Sequence, residues 1–234
     1  VMPYVTSGPR SMIGHATWEG RKVQPGEHVF LEVGGCYRRY HTAMMRTVVC
    51  GELSDSMYKA QETMKHALKQ VRAELRPGMT VSDADNLVRT IITENDVGAR
   101  LITRSGYSIG IAFPPSWDEG YIISLKQGDS TILKPGMTFH IIPWMWGVDG
   151  DKTCGISDTI YITETGCASF FEGMEEDFVV KPETEIKDVV PNAFPTENAQ
   201  ETVQALKKNK QAKSGKTAGK EKRPTKSKAT KKAS

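Results

Sequence analysis

The chain is poor in the features that mark metal clusters, membrane spans and secreted scaffolds. Its four cysteines, Cys36, Cys50, Cys154 and Cys167, stand alone with no CxxC pair. That excludes a zinc ribbon and a dense disulfide framework, and it fits a reducing compartment. No apolar run is long enough to span a bilayer, the stretch around "FHIIPWMWGV" included. The opening "VMPYVTSGPRSMIGH" lacks the basic-then-apolar order of a signal peptide, so a soluble, cytoplasmic protein without membrane attachment is expected. "GYSIG" lacks both the GxGxxG spacing and the lysine of a phosphate-binding loop.

Excess charge of either sign is also missing from the totals, since the net charge is only +3. The balance hides an asymmetry. Residues 207–234 hold 12 Lys and Arg and one acid, Glu221, which leaves 19 basic and 27 acidic residues before them, so a body of −8 carries a tail of +11. The tail has no aromatic residue and no apolar period, and such a composition does not bury enough surface to offset ordering entropy. It is expected to be disordered, with nucleic acid as a possible partner through charge and counterion release. Residues 182–206 are acidic and Pro-broken and read as a linker. The folded part is therefore expected over 1–181.

Within that body, apolar residues recur at three- and four-residue steps from Ser54 to Leu75, predicting an amphipathic helix ended by "RPG". A second helix follows, with Ser82 as its N-cap and Ala84, Leu87, Val88, Ile91 and Ile92 as its buried stripe. "HVFLEVGG", "YHTAMMRTVVCG", "GYSIGIAF", "MTFHIIPW" and "GISDTIYIT" read as strands. "VQPGEHVFLEV" and "LKPGMTFHIIP" each run through Pro-Gly into a buried strand, which suggests two similar β-rich halves.

One residue stands out chemically. Glu32 lies inside the apolar strand "VFLEVGG", where a carboxylate is costly to bury unless a cation or reaction partner compensates it. The plainer reading pairs it with Arg46 at a strand edge. His41 and His140 alternate with apolar neighbours and read either as pocket groups or as satisfied core histidines. His28 and His66 read as surface. Tyr40, Trp144 and Trp146 suit a pocket, a dimer contact or the core.

Taken together, "SGPRSMIGH", "LEVGGCYRRYHTAMMRT", "GYSIGIAFPPSWDEG", "PGMTFHIIPW" and "GISDTIYITETGC" resemble the pita-bread family of methionine and proline-specific aminopeptidases, prolidases and creatinase, over roughly His15 to Phe178. The resemblance implies an α+β pita-bread fold: a curved, mostly antiparallel sheet covered by helices, in two pseudo-twofold halves. It also implies N-terminal truncation, because relatives carry a separate N-terminal domain and further helices before "SGPRS". The family's five metal-ligand positions fall on Glu32, Ala43, Tyr107, Ile142 and Ser157. Ala and Ile have no donor atom, and Tyr and Ser are poor substitutes for carboxylate and imidazole, so no metal or other cofactor is expected.

Arg46, Thr47 and His15 are kept, which implies a surviving pocket. Plain creatinase is disfavoured, since Met45 and Ile142 stand where it has glutamates. The motifs look most like the ectoine hydrolase branch of the metal-free members. That resemblance implies a small-molecule substrate, a cyclic amidine opened to N-acetyl-2,4-diaminobutyrate, with Glu32 as nucleophile or base. Tyr107, His140 and His15 are the candidates to assist the departing nitrogen, with Tyr107 first. Arg38, Arg39 and Arg104 are available for a substrate carboxylate, and Tyr40 and Trp144 for the pocket wall. A homodimer is implied as well. The alternatives are an inactive pita-bread module that binds nucleic acid or histones, or another peptidase-like or creatinase-like member.

Overall fold

The structure is a computed structural model and describes residues 3–17, 19–113 and 116–182. The linker expected over 182–206, beyond its first residue, and the tail at 207–234 lie outside the described residues. No helix among the described residues is long and apolar enough to cross a membrane.

Strand β1 (Tyr4–Ser7) leads through a 3-10 turn into the hairpin β2 (His28–Tyr37) and β3 (Tyr40–Cys50). Helices α1 (Asp55–Glu74) and α2 (Val81–Thr93) follow, then β4 (Gly106–Ser108) and β5 (Ser124–Leu125). The second half comprises β6 (Thr138–Ile141), β7 (Trp144–Val148), β8 (Lys152–Gly155), β9 (Asp158–Ile162), β10 (Cys167–Ser169) and β11 (Val179–Lys181). The strands form sheets in the orders β1-β2-β3-β11, β10-β9-β6-β4-β5 and β7-β8. Every strand pair is antiparallel except β11 with β3.

Alternation along the strands assigns two faces. Phe139, Ile141 and Ile160 pack with the stripe Met57, Met64, Leu68 and Val71 of α1 and with Val88 and Ile92 of α2. Phe30, Ala43, Met45, Tyr107, Ile142 and Trp144 form a second cluster with Trp117. The helices cover the first, and the candidate site grows from the second.

Local chemistry explains where the elements begin and where the reading above needs correction. Ser54 caps α1 by accepting from Met57 N–H at 3.2 Å. The cap of α2 is Thr80, not Ser82. Thr80 Oγ1 accepts from Asp83 N–H at 3.0 Å, and Asp83 returns the bond to Thr80 N–H at 2.8 Å, a reciprocal pair that Ser82 does not form because its hydroxyl accepts from Gly128 N–H. "GYSIGIAF" is a strand only over Gly106–Ser108; further on, Ile111 N–H is taken by the Glu119 carboxylate at 2.9 Å instead of a neighbouring strand. His28 is not at the surface. It is 1% exposed, because β2 buries His28, Phe30 and Glu32 in alternation, and its Nε2 lies 2.8 Å from Ser11 Oγ. His66 is exposed, as expected for a helix face.

The turns that lead into β2 and β6 match position for position. Gly26 and Gly136 both adopt positive φ (79° and 85°), which glycine reaches without strain. Gly26 N–H bonds Cys50 O and Gly136 N–H bonds Ile162 O, the ends of the partner strands. Cys50 N–H returns a bond to Glu27 O, and Ile162 N–H returns one to Met137 O, both at 2.8 Å. The halves meet at a seam of reciprocal bonds. Thr159 Oγ1 accepts from Ala43 N–H (3.0 Å) and donates to Ala43 O (2.7 Å), while Thr47 Oγ1 accepts from Gly155 N–H (3.0 Å) and donates to Gly155 O (3.1 Å). Between them Met45 N–H donates to Ser157 Oγ and Ser157 N–H to Met45 O.

Replacing either threonine by valine leaves buried peptide groups unpaired, so Thr159→Val and Thr47→Val should each lower stability by about 1–3 kcal/mol. Urea denaturation checks this, and an unchanged midpoint for both would contradict a structural seam. Burial pushes the His28 imidazole down from 6.5 to about 4, with the nearby Lys152 adding to the effect. The histidine therefore folds neutral, and its stability contribution is whole above pH 6.5 and lost as pH falls toward 4, by up to ~1.4 kcal/mol per pH unit. Stability plotted against pH should be flatter over that window in His28→Gln than in the parent chain, and parallel curves would show that His28 titrates normally.

Candidate active site

Glu32 sits at the floor of a cavity of about 130 Å³ whose lining includes Tyr4, His15, Arg104, Tyr107, Trp117 and Trp144. Its side chain is 2% exposed. Strand β2 aims it inward beside Phe30, and its register partner is Met45, so the plain pairing with Arg46 does not form. Arg46 faces elsewhere and donates to Met45 O, Ser157 O and Glu175 O. Glu32 Oε1 accepts a long bond from the Tyr107 hydroxyl at 3.4 Å. Oε2 has no hydrogen-bond partner among the described residues, with His15 Nε2 3.4 Å away. A buried carboxylate oxygen left open to a cavity is poised for a ligand donor.

Three of the residues named as catalytic candidates converge with it. His140 is wholly buried and bridges Tyr107 and Ser157: Nδ1 is 2.7 Å from the Tyr107 hydroxyl and Nε2 is 2.6 Å from Ser157 Oγ. Burial, reinforced by the Arg104 charge, pushes its pKa down to about 3, so the ring is neutral and carries one proton. Counting donors places that proton. Ser157 Oγ accepts from Met45 N–H, and its one acceptor among the described residues is His140 Nε2, which assigns its proton to Nε2; Nδ1–H then donates to the Tyr107 oxygen, which also accepts from Trp117 Nε1 at 2.9 Å. Both acceptor directions of Tyr107 are thereby filled, and its proton points to Glu32 and the cavity. Burial first, and then the Glu32 charge, hold this phenol well above its usual pKa, so it stays a donor.

His15 completes the rim. It takes a positive φ of 56°, leaves its side chain half exposed and stacks on Tyr4 with centroids 4.0 Å apart. Trp144 lies between Phe30 (5.2 Å, stacked) and Trp146 (4.6 Å) and lines the cavity. Trp117 approaches the hairpin so closely that a Cβ on Gly34 would stand 2.6 Å from its ring, which explains glycine at that position. Arg104 also lines the cavity; its guanidinium carbon lies 4.4 Å from the Tyr107 ring centroid, and it pairs with Asp118. Arg38 and Tyr40 are not brought here. They sit at the tip of the β2–β3 hairpin, Tyr40 at 69% exposure, with Arg38 over the Tyr37 ring and Arg39 over the Phe113 ring. His41 is a satisfied histidine bonded to Gly110 O. Tyr4, Trp117 and Asp118 were not singled out in the sequence, since a four-residue strand and the short stretch from Ser116 give no periodic signal.

The five positions corresponding to metal ligands come together but do not fit two metals. Ala43 and Ile142 contribute only hydrocarbon, packed with Met45 and Tyr107, and the Ser157 hydroxyl is taken up by His140 and Met45. Among the described residues no group of three or more His, Cys, Asp or Glu is placed to hold a metal ion. Asp158, one residue further along, faces Arg72 (2.8 Å) and Ser169 (2.7 Å).

Comparison with known proteins agrees with this architecture. Residues 1–164 match metallopeptidase family M24. An ectoine hydrolase of Halomonas elongata is 33% identical over 181 residues, which are 76% of this chain and 44% of that protein. A Xaa-Pro dipeptidase of Pyrococcus furiosus is 30% identical over 164 residues, 69% of this chain and 44% of its own length. The chain thus spans less than half the length of these curated relatives. Among solved structures, dipeptidase PepE from Mycobacterium ulcerans superposes with a TM-score of 0.68 at 26% identity, over 78% of this chain and 47% of that one. A prolidase from Thermococcus sibiricus gives 0.68 and 26% over 76% and 47%. The matched turns, the helices on one face and these likenesses lead to one conclusion: the chain belongs to metallopeptidase family M24 and has its pita-bread fold.

Proposed function

We propose that this domain is a metal-independent hydrolase that opens the ring of a small cationic amidine, with ectoine as the favoured substrate. The observation that carries the reading is the buried Glu32 oxygen that accepts no hydrogen bond, with His15 3.4 Å away at the rim, in an aromatic-walled cavity of about 130 Å³. A cavity of roughly 150 Å³ admits benzene, so this one suits a single six-membered ring. The metal-ligand positions do not fit metals, which weighs against the metallopeptidase reading that the likeness to a Xaa-Pro dipeptidase would otherwise suggest. An amidinium is positive near neutral pH, and a buried carboxylate with Tyr4, Trp117 and Trp144 around it suits a flat cation. Likeness to an ectoine hydrolase over 76% of the chain points the same way.

The residues then divide the chemistry. Glu32 takes a proton from water as the water oxygen bonds the amidine carbon, giving a tetrahedral centre. The Tyr107 hydroxyl donates to one ring nitrogen and is reprotonated from Glu32 as that C–N bond breaks, its electron pair staying on nitrogen. The proton left on the new oxygen passes to the freed amine, yielding an ammonium and an acetamide. His140 and Ser157 hold the Tyr107 proton toward the cavity, and neither exchanges protons with the substrate.

Turnover of ectoine should persist after exhaustive chelation, with mass spectrometry showing N-acetyl-2,4-diaminobutyrate. Glu32→Gln should abolish it, and Tyr107→Phe should lower kcat by roughly 10²- to 10⁴-fold. Activity that disappears with the chelator and returns with a divalent metal would overturn the metal-independent reading, and full activity in Glu32→Gln would overturn the role of the carboxylate.

A further inference from the structure

Beside the cavity lies a second, open recess of about 630 Å³, lined by Arg89, Thr103, Arg104, Ser124, Lys126 and Gln127. Thr103 and Arg104 line both spaces, so the two share a wall. The Tyr107 ring connects their chemistry: its hydroxyl is 3.4 Å from Glu32, and its face lies 4.4 Å from the Arg104 guanidinium carbon. The Arg104 side chain therefore stands on the wall between the Glu32 cavity and the recess.

The recess carries surplus positive charge. Arg89 is committed to the buried Asp85 at 2.6 and 2.9 Å and to Thr103 O, and Arg104 pairs with Asp118 and donates to Ser124 Oγ at 2.9 Å. Lys126 is exposed and forms no ion pair among the described residues; the acid whose charge it feels, Asp129, bonds Thr131 instead. Three cations line the recess with no acid among the lining residues; Asp129, the acid near Lys126, is bonded to Thr131, and the two arginines face Asp85 and Asp118. Asp118, at 34% side-chain exposure, is the one of the two that an incoming carboxylate can displace, since Asp85 is fully buried. Arginine binds a carboxylate with two parallel bonds, and a neighbouring ammonium adds a point charge.

We propose that this recess is an anion subsite that reads the carboxylate of the substrate, with Arg104 as the hydrogen-bonding anchor and Lys126 as the specificity-determining charge. The inference rests on the amidine reading above and extends it, because it requires the substrate to carry a carboxylate on the same ring as the amidinium cation. It also assigns the carboxylate to Arg104 among the three arginines the sequence leaves open.

The test is calorimetric binding of two ligands to the full chain, with Tyr107→Phe as the parent so that slow turnover does not consume the ligand during the titration: ectoine, and 2-methyl-1,4,5,6-tetrahydropyrimidine, the same amidinium ring without a carboxylate. The parent chain should bind ectoine at least roughly tenfold more tightly. Lys126→Glu, a change at an exposed side chain, should remove most of that preference and leave affinity for the carboxylate-free ring unchanged. Arg104→Gln should remove the preference altogether, with circular dichroism checking its fold. Equal binding of both ligands by the parent chain, or a preference that survives Lys126→Glu, overturns the subsite and leaves the amidine reading standing. Binding of neither ligand overturns both.

Discussion

Everything at the site depends on two threonine hydroxyls. Thr47 and Thr159 each grip both peptide groups of one residue in the opposite half, Gly155 and Ala43, and so weld two hairpins that are otherwise separate sheets. Each hydroxyl satisfies a buried N–H and a buried C=O at once, where an unpaired group would cost about 1–3 kcal/mol. The Met45–Ser157 exchange lies between them and continues into His140, so the seam that joins the halves is also the first link of the chain ending at Glu32.

A carboxylate at 2% exposure needs compensation, and here it is supplied unevenly. One oxygen receives a weak phenol bond and the other is left to His15 and to whatever enters. Around it the structure places rings rather than fixed cations, and the nearest guanidinium, that of Arg104, is drawn toward Asp118. A permanent cation within bonding distance would quench the carboxylate. Aromatic faces keep water out and leave its charge available. The same neutrality explains His140: an imidazole held uncharged by burial orients a proton without competing with the ligand for Glu32.

Much of this was legible in the sequence, for identifiable reasons. Glu32 was visible because a charge interrupts an apolar alternation, and the two Pro-Gly turns because glycine there must reach positive φ. The α1 stripe and its start at Ser54 followed from periodicity. What escaped notice depends on partners far along the chain. Trp117 meets Tyr107 through a loop with no period, and Thr80 outcompetes Ser82 only because Asp83 answers it. His28 was misread because its position beside a turn outweighed the two-residue alternation with Phe30 and Glu32, which would have placed it inside. Arg38 and Tyr40 looked suited to a pocket by residue type, but a hairpin of ten and eleven residues carries its tip beyond the cavity.

The seam also fixes alignment. Side chains alternate across a strand, so sliding β3 by a single residue against its counterpart would turn each threonine hydroxyl away from the peptide it grips and present the opposite set of side chains. The same slip in β2 would carry Glu32 from the cavity to the far face. Because the threonine bonds run both ways across the pseudo-twofold axis, neither half can shift without the other losing its own grip. The paired hydroxyls therefore act as a lock on registration, and the reactive carboxylate is placed by the same geometry that makes the two halves one domain.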